Sequence, residues 1–153
     1  MNNADQVEYW NGPAGQKWVD QSNRLDAMLA PFADTVIAKA GLKPDERVMD
    51  IGCGAGALTL RAAAAVGAKH GALGVDVSAP LIELARARAK AAKAPARFEL
   101  ADASAFTAPD PVDIIISRFG VMFFEDPAAA FAKIRQSVKP GGRLAFICWQ
   151  GLS

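Results

Sequence analysis

The chemistry in this chain concentrates between Val48 and Leu60, in the run VMDIGCGAGALTL. An aspartate, Asp50, stands two residues before the first of three alternating glycines, Gly52, Gly54 and Gly56, with the thiol of Cys53 among them. Glycine is required where a backbone turns tightly or must approach a ligand with no Cβ in the way. Gly52 to Ala57 also reads as GxGxxA, the dinucleotide-binding fingerprint, although the same pattern suits a tight turn that merely packs a helix on a strand. Asp50 weighs against a dinucleotide. Such a site keeps its loop amides and helix N-terminus for a pyrophosphate, and a carboxylate here would repel that anion. A ligand with an ammonium group and no phosphate fits better.

Three further positions extend the constellation. Asp76, followed by Val77, lies twenty residues after Gly56 at the end of the segment GALGVDV. From there a carboxylate can accept both ribose hydroxyls of an adenosine lying across a sheet; taken alone, GVDVS also suits an exposed aspartate at a strand end. Asp102, in ELADAS, can accept from an adenine amino group while the N–H of Ala103 meets a ring nitrogen, or it can cap the next turn. Ser117 closes the run VDIIIS, where its carbonyl could contact the opposite end of the ligand. No side chain stands out as a general base, and no metal-ligand spacing occurs.

The elements needed to position these groups are legible as alternating apolar runs and helical periods. RVMDIG, GALGVDV, ARFELA, VDIIIS and RLAFICW read as five strands, the fourth apolar almost throughout, as a parallel strand buried on both faces should be. Helices are expected from Ala57 to Val66, from Ser78 (as cap) to about Lys93, and from the Asp126–Pro127 cap through Phe131, Ile134 and Val138, where Pro140-Gly141-Gly142 stops the last one. In the first forty residues Ala33, Val36, Ile37 and Ala40 share a helical face that Gly41 ends. Leu25, Met28 and Leu29 form a second face, with Pro31 separating the two segments. Strand–helix alternation implies a doubly wound α/β fold with a parallel sheet and right-handed crossovers. Ala103 to Pro111, nine residues, must join strand three to strand four. If strand four lies beside strand one, the path is on the order of 25 Å against a reach of roughly 30 Å, which leaves no room for a full helix.

Composition bounds the rest. The 153 residues, 52% hydrophobic, make one domain with a real core. Lysine plus arginine, 17, nearly balances aspartate plus glutamate, 16, so no charge excess points to nucleic acid or an anionic membrane. The start, MNNADQVEYW, lacks the apolar core of a signal peptide, and no run is long and apolar enough to span a bilayer. Cys53 and Cys148 have no disulfide or metal framework and are expected as unlinked thiols in a cytoplasmic protein.

Taken together, DIGCGAG, GVDVS, ELADA, VDIIISRFGVMFF and VKPGGRLAF, in this order and spacing, resemble the class I, Rossmann-like S-adenosylmethionine-dependent methyltransferases, nearest to their small-molecule, quinone-biosynthesis-like branch. The resemblance covers about Leu42 to Trp149. It implies S-adenosylmethionine as cofactor, whose ammonium and sulfonium suit Asp50, and methyl transfer to a small-molecule acceptor. It also implies that Asp50 and the Gly52–Gly56 loop with Cys53 hold the methionyl end, Asp76 with Val77 the ribose, and Asp102 with Ala103 the adenine, while Ser117 lines the switch point. YWNGPAGQKWV resembles a segment that helps close the cofactor site in some of these enzymes. Residues 1–41 then form a helical cover and 42–153 the cofactor-binding core.

Members of this family continue past strand five with a helix and two more strands. The sheet expected here is therefore 3-2-1-4-5, without strands six and seven, as in a fragment of a larger fold. Strand five would be an apolar edge, prone to associate with a second copy or to leave Cys148–Ser153 poorly ordered. His70 falls at the wrong end of the sheet for catalysis. Tyr9, Trp10 and Trp18 either cover the cofactor or pack on the core; Phe119, Met122, Phe123 and Phe124 either line an acceptor pocket or pack; Arg118 either binds an acidic acceptor or pairs with a carboxylate. The rival functions are a cofactor-binding module without turnover and an NAD(P)-dependent oxidoreductase.

Overall fold

A computed structural model describes residues 3–151. Three N-terminal helices, α1 (Asn3–Asn11), α2 (Pro13–Asp20) and α3 (Ser22–Ala40), precede an alternating unit: β1 (Val48–Ile51), α4 (Ala57–Val66), β2 (Ala72–Asp76), α5 (Ala79–Ala92), β3 (Ala96–Leu100), β4 (Val112–Arg118), a 3-10 turn (Val121–Phe123), α6 (Pro127–Arg135) and β5 (Val138–Ile147). All pairings are parallel and the order is β3-β2-β1-β4-β5, as expected. Residues between β3 and β4 carry turns and no helix.

The central strands β1, β2 and β4 are buried on both faces, with successive side chains alternating between two layers of cover. Val48, Ala72, Ile114 and Ile116 pack against Ala33, Val36 and Ala40 of α3 and Leu58, Ala62 and Val66 of α4. On the same side, Phe98 meets Ile82, Ala85 and Ala89 of α5. Met49, Ile51, Leu73, Val75 and Ile115 point the other way, toward Ile134 of α6 and toward Ala108 and Phe106 of the β3–β4 link. This continuous burial explains why Ile114–Ile116 read as an uninterrupted apolar run.

Two boundaries differ from the sequence reading. Pro31 does not divide the N-terminal segment; it lies inside α3. A single stripe of Leu29, Ala33, Val36 and Ala40 is buried along that helix, and continuous packing on the sheet outweighs the missing N–H and local crowding of one proline. Met28, assigned to a second apolar face, is instead 61% exposed. At the other end, α6 stops at Arg135, and Val138 already belongs to β5, paired with Val112. The register then shifts so that Ile114 faces Arg143. Pro140-Gly141-Gly142 is thus absorbed as a bulge within a strand, with Lys139 Nζ donating to Asp113 Oδ1 at 2.8 Å.

Among the described residues β5 is an edge strand. Ala145 and Ile147 pack toward α3, whereas Leu144 and Phe146 are 42% and 47% exposed. Arg143 anchors the strand by a two-pronged pair with Glu46 at 2.8 and 2.9 Å, and by donation to the carbonyl oxygens of Ala40 and Gly41 at the C-terminus of α3. Leu152 and Ser153, part of the segment expected to be poorly ordered, lie outside the described residues. Cys53 and Cys148 are both free thiols.

Candidate functional site

The C-terminal ends of β1, β2, β3 and β4 open onto a cavity of about 330 Å³, within the roughly 300–1,000 Å³ typical of small-molecule sites. Asp50, Gly52, Cys53, Gly54, Asp76, Val77, Asp102 and Ala103 all line it. Gly56 and Ser117 do not: they support it from behind. A Cβ on Gly56 would press on Phe98 and Ala85, so this glycine sets how closely α4's start approaches α5 and β3. Ser117 is fully buried; its hydroxyl donates to the Ile51 carbonyl oxygen at 2.7 Å and accepts from Gly120 N–H at 3.1 Å, fastening β1 to the turn after β4.

Asp50 is 1% exposed. Its Oδ2 accepts from Thr59 Oγ1 at 2.7 Å, while Oδ1 is buried without a hydrogen-bond partner. A buried carboxylate oxygen left unpaired is costly. Burial pushes this carboxyl up to about 7, with the Thr59 bond and the Arg118 charge opposing. Across the loop, Gly52 N–H and Cys53 N–H donate to the Val75 carbonyl oxygen, and Gly54 N–H donates to Asp76 Oδ2 at 2.8 Å. Gly54 has φ of 53°, and a Cβ there would meet nothing within 4 Å. Gly54 lines the cavity.

Asp76 is held in place twice, since its Oδ1 also accepts from Ser78 N–H at 2.9 Å. Burial raises its pKa against these backbone bonds, and each oxygen keeps a lone pair for a further donor. Burial likewise pushes the Cys53 thiol up, which favours its neutral form. Asp102 caps the next turn, one of its two expected readings, through Ser104 N–H at 2.9 Å and Ser104 Oγ at 2.7 Å on Oδ1, while Oδ2 accepts from the Asn3 carboxamide of α1. An amide nitrogen thus already makes the type of contact that an adenine amino group would make.

The N-terminal helices close the cavity's mouth. Trp10 and Trp18 line it in an edge-to-face pair at 5.5 Å, with Phe123 at 6.1 Å from Trp10; Tyr9 is exposed and does not line it. Ser78 occupies the N-cap position of α5 but does not cap it, because its hydroxyl donates to the Trp10 carbonyl oxygen. Asn11 supplies the cap: its Oδ1 accepts from Ala79 N–H, and its Nδ2 donates to the Val77 carbonyl oxygen. No short-range signal marks Asn11, since its partners are 66 and 68 positions away. Phe119, Phe123 and Phe124 line the cavity; Met122 does not. His70 precedes β2, at the opposite end of the sheet from the cavity. Among the described residues there is no group of three or more histidine, cysteine, aspartate or glutamate side chains suited to a metal ion. No helix there is long and apolar enough to cross a membrane.

A methyltransferase-domain family model matches residues 48–142. An uncharacterised Mycobacterium tuberculosis protein is 32% identical over 133 residues, 85% of this chain and 47% of its own length. An aklanonic acid methyltransferase from a Streptomyces species is 35% identical over 104 residues, 66% of this chain and 47% of its own. Among solved structures, an S-adenosylmethionine-dependent methyltransferase from Thiobacillus denitrificans, in complex with S-adenosylhomocysteine, superposes with a TM-score of 0.63 at 26% identity, over 76% of this chain and 47% of that one. The chain belongs to the methyltransferase-domain family, with the class I Rossmann-like fold and S-adenosylmethionine as the family's cofactor. It spans about half the length of these relatives.

Proposed function

We propose that this chain is the cofactor-binding portion of an enzyme that transfers the methyl group of S-adenosylmethionine to a small-molecule acceptor. The observation that carries the reading is the unpaired, buried Oδ1 of Asp50 at the wall of a cavity whose glycine loop is open at Gly54. An α-ammonium group would give that oxygen its missing donor. Asp50 with Gly52–Gly56 then holds the methionyl end, Asp76 and Val77 the ribose, and Asp102 and Ala103 the adenine, the Asn3 amide giving way. When bound, the cofactor supplies a sulfonium whose methyl carbon is already electrophilic. The work left to the protein is orientation and exclusion of water. Trp10 and Trp18 cover the adenosine side, and Leu25, Met28, Phe119 and Trp149 give the cavity an apolar flank suited to an apolar acceptor. Attack by the acceptor forms its bond to the methyl carbon as the carbon–sulfur bond breaks, and sulfur keeps that electron pair.

Two coarser proposals accompany this one. Unlinked thiols suit a reducing compartment, the cytoplasm. The exposed Leu144 and Phe146 on the β5 edge suit association with a second copy, which light scattering across concentration would detect as a rising mass.

Calorimetry with S-adenosylmethionine, S-adenosylhomocysteine and NAD tests the cofactor reading. Binding of the first two and not the third is expected; preference for NAD would overturn it. Methyl transfer to candidate acceptors separates an enzyme from a binding module. Asp76→Ala should leave the fold intact and weaken S-adenosylhomocysteine binding about tenfold to hundredfold, the loss expected for a carboxylate that accepts two hydroxyls. Unchanged affinity would remove Asp76 from the ribose site.

A further inference from the structure

We propose that Arg118 selects the methyl acceptor, by holding a carboxylate carried on a flat, apolar molecule that lies against Trp149. The inference rests on the cofactor reading above and names the substrate class of the same site. Asp26, Asp50, Asp76 and Asp102 line the cavity, and among the described residues Arg118 is the one cationic side chain on its wall. The cofactor reading employs Asp50, Asp76 and Asp102 and leaves Arg118 without a role.

Arg118 is buried well beyond what its partners within the protein justify. Its side chain is 13% exposed, and that burial works against its charge. A guanidinium offers five N–H donors, yet here one goes to the Leu29 carbonyl oxygen at 3.3 Å, and the nearest carboxylate oxygen, Asp26 Oδ1, is 3.8 Å away. Asp26 is committed elsewhere, since its Oδ2 accepts from Arg88 Nη1 at 2.8 Å. Arg88 in turn is well satisfied, donating also to the Ala55 carbonyl oxygen and to Asn23 Oδ1. One carboxylate is therefore shared unequally between two guanidiniums, and Arg118 has the weaker share. Among the described residues, Asp50 Oδ1 alone is a fully buried side-chain polar atom without a partner. The Arg118 nitrogens that meet no protein acceptor are thus not sealed in, and they open on the cavity that Arg118 lines. A carboxylate there would take two parallel N–H bonds from the guanidinium fork.

The surroundings of Arg118 point to an acceptor with an apolar body. Its two protein contacts, Asp26 and Leu29, both belong to α3, and the same helix sends Leu25 and Met28 to the cavity wall. On its other side the chain turns sharply. Phe119, directly after Arg118, has φ of 63°, a left-handed conformation rarely adopted by a bulky residue. Such a state persists only where the surroundings over-determine it. Phe119 stacks on Trp149 with ring centroids 4.4 Å apart and planes 4° from parallel, and Phe32 meets both rings edge-on. The aromatic trio fixes the turn that fixes Arg118. Phe119 takes one face of the indole, yet Trp149 stays exposed while lining the cavity, which leaves aromatic surface for a flat ring to pack on. A cation framed by apolar and aromatic side chains is the complement of an aromatic acid.

The test pairs two probes with two variants, by calorimetry on the chain saturated with S-adenosylhomocysteine. A naphthoate carries the carboxylate on a flat apolar body; the matching naphthamide replaces it with a neutral amide of the same shape. Wild type should bind the naphthoate about tenfold more tightly than the naphthamide, the difference expected for a charge-assisted pair. Arg118→Met should bind the two probes equally, and its affinity for S-adenosylhomocysteine should stay within about twofold of wild type. Arg118→Lys, which keeps the charge and gives up the fork, should retain part of the preference, and it carries the test if the methionine variant does not fold. Failure of wild type to bind the naphthoate or to prefer it, or an undiminished preference in either variant, would overturn the acceptor assignment. So would a loss of S-adenosylhomocysteine affinity in Arg118→Met, which gives the residue to the cofactor. A wild-type chain that binds no S-adenosylhomocysteine would overturn the cofactor reading itself, and the acceptor assignment with it.

Discussion

Asp50→Asn is expected to abolish measurable S-adenosylhomocysteine binding while making the ligand-free protein more stable at pH 8. The two effects have one cause. The Asp50 carboxyl is buried and titrates at about 7, against 3.8 for an ordinary aspartate. An acid whose pKa is raised by folding subtracts stability as it ionises: the cost is absent below pH 3.8, grows as the pH rises toward about 7, and stays constant above that. A shift of about three units corresponds to a few kcal/mol at most. Asparagine keeps an oxygen to accept from Thr59 Oγ1 and carries no charge to desolvate, so its melting temperature should exceed that of wild type at pH 8 and approach it at pH 5. Its amide can no longer balance an ammonium. In wild type, the same titration predicts that affinity rises as the pH increases to about 7 and falls again at higher pH, where the ligand's α-amino group loses its proton. Melting curves and calorimetry at pH 5, 6, 7, 8 and 9 check both halves. A destabilised variant at pH 8, or a flat pH profile of affinity, would show that Asp50 is not the ligand's counter-charge.

Much of this site was legible because its groups are local in sequence. Asp50 and the glycine loop fall within seven residues, Asp76 closes a strand whose apolar run announces it, and Asp102 follows two residues after the end of β3. Strand order followed from the family resemblance, and the short β3–β4 link is just long enough for the crossing that order requires. What escaped the reading depends on partners far along the chain. Arg118 was visible as a residue type but its surroundings were not: Asp26 Oδ1 lies 3.8 Å from it, while Asp26 Oδ2 accepts from Arg88, 62 positions away. Ser78 had the right type for a cap and lost the role to Asn11 because Trp10 offers its hydroxyl a better partner. Pro31 and Pro140 were read as local stops. In α3, sheet packing overrides the stop, and in β5 a bulge accommodates it. Gly56 and Ser117 were singled out as cofactor-binding by motif position, but they act on the strands and helices that form the cavity wall and do not line it.

Gly54→Val should produce a folded protein that binds neither S-adenosylmethionine nor S-adenosylhomocysteine, a loss of more than about a hundredfold. At φ of 53°, any side chain at this position is strained, and a β-branched one most of all, at a cost of roughly 1–2 kcal/mol. Nothing in the protein obstructs the new Cβ, so the stability penalty should stop near that figure, a fall of a few degrees in melting temperature for a chain of this size. The valine methyl groups would instead enter the cavity between Asp50 and Asp76, both of which line it with Gly54. Strain relief could also turn the Gly54 N–H away from Asp76 Oδ2, which would release the carboxylate proposed for the ribose. Gly41→Val separates these causes. Gly41 has φ of 56° and equally open surroundings, but it caps α3 and is not part of the cavity wall. Both variants should lose comparable stability, and Gly54→Val alone should lose the ligand. Comparable binding by the two variants would mean that the glycine loop only joins β1 to α4 and that the ligand sits elsewhere.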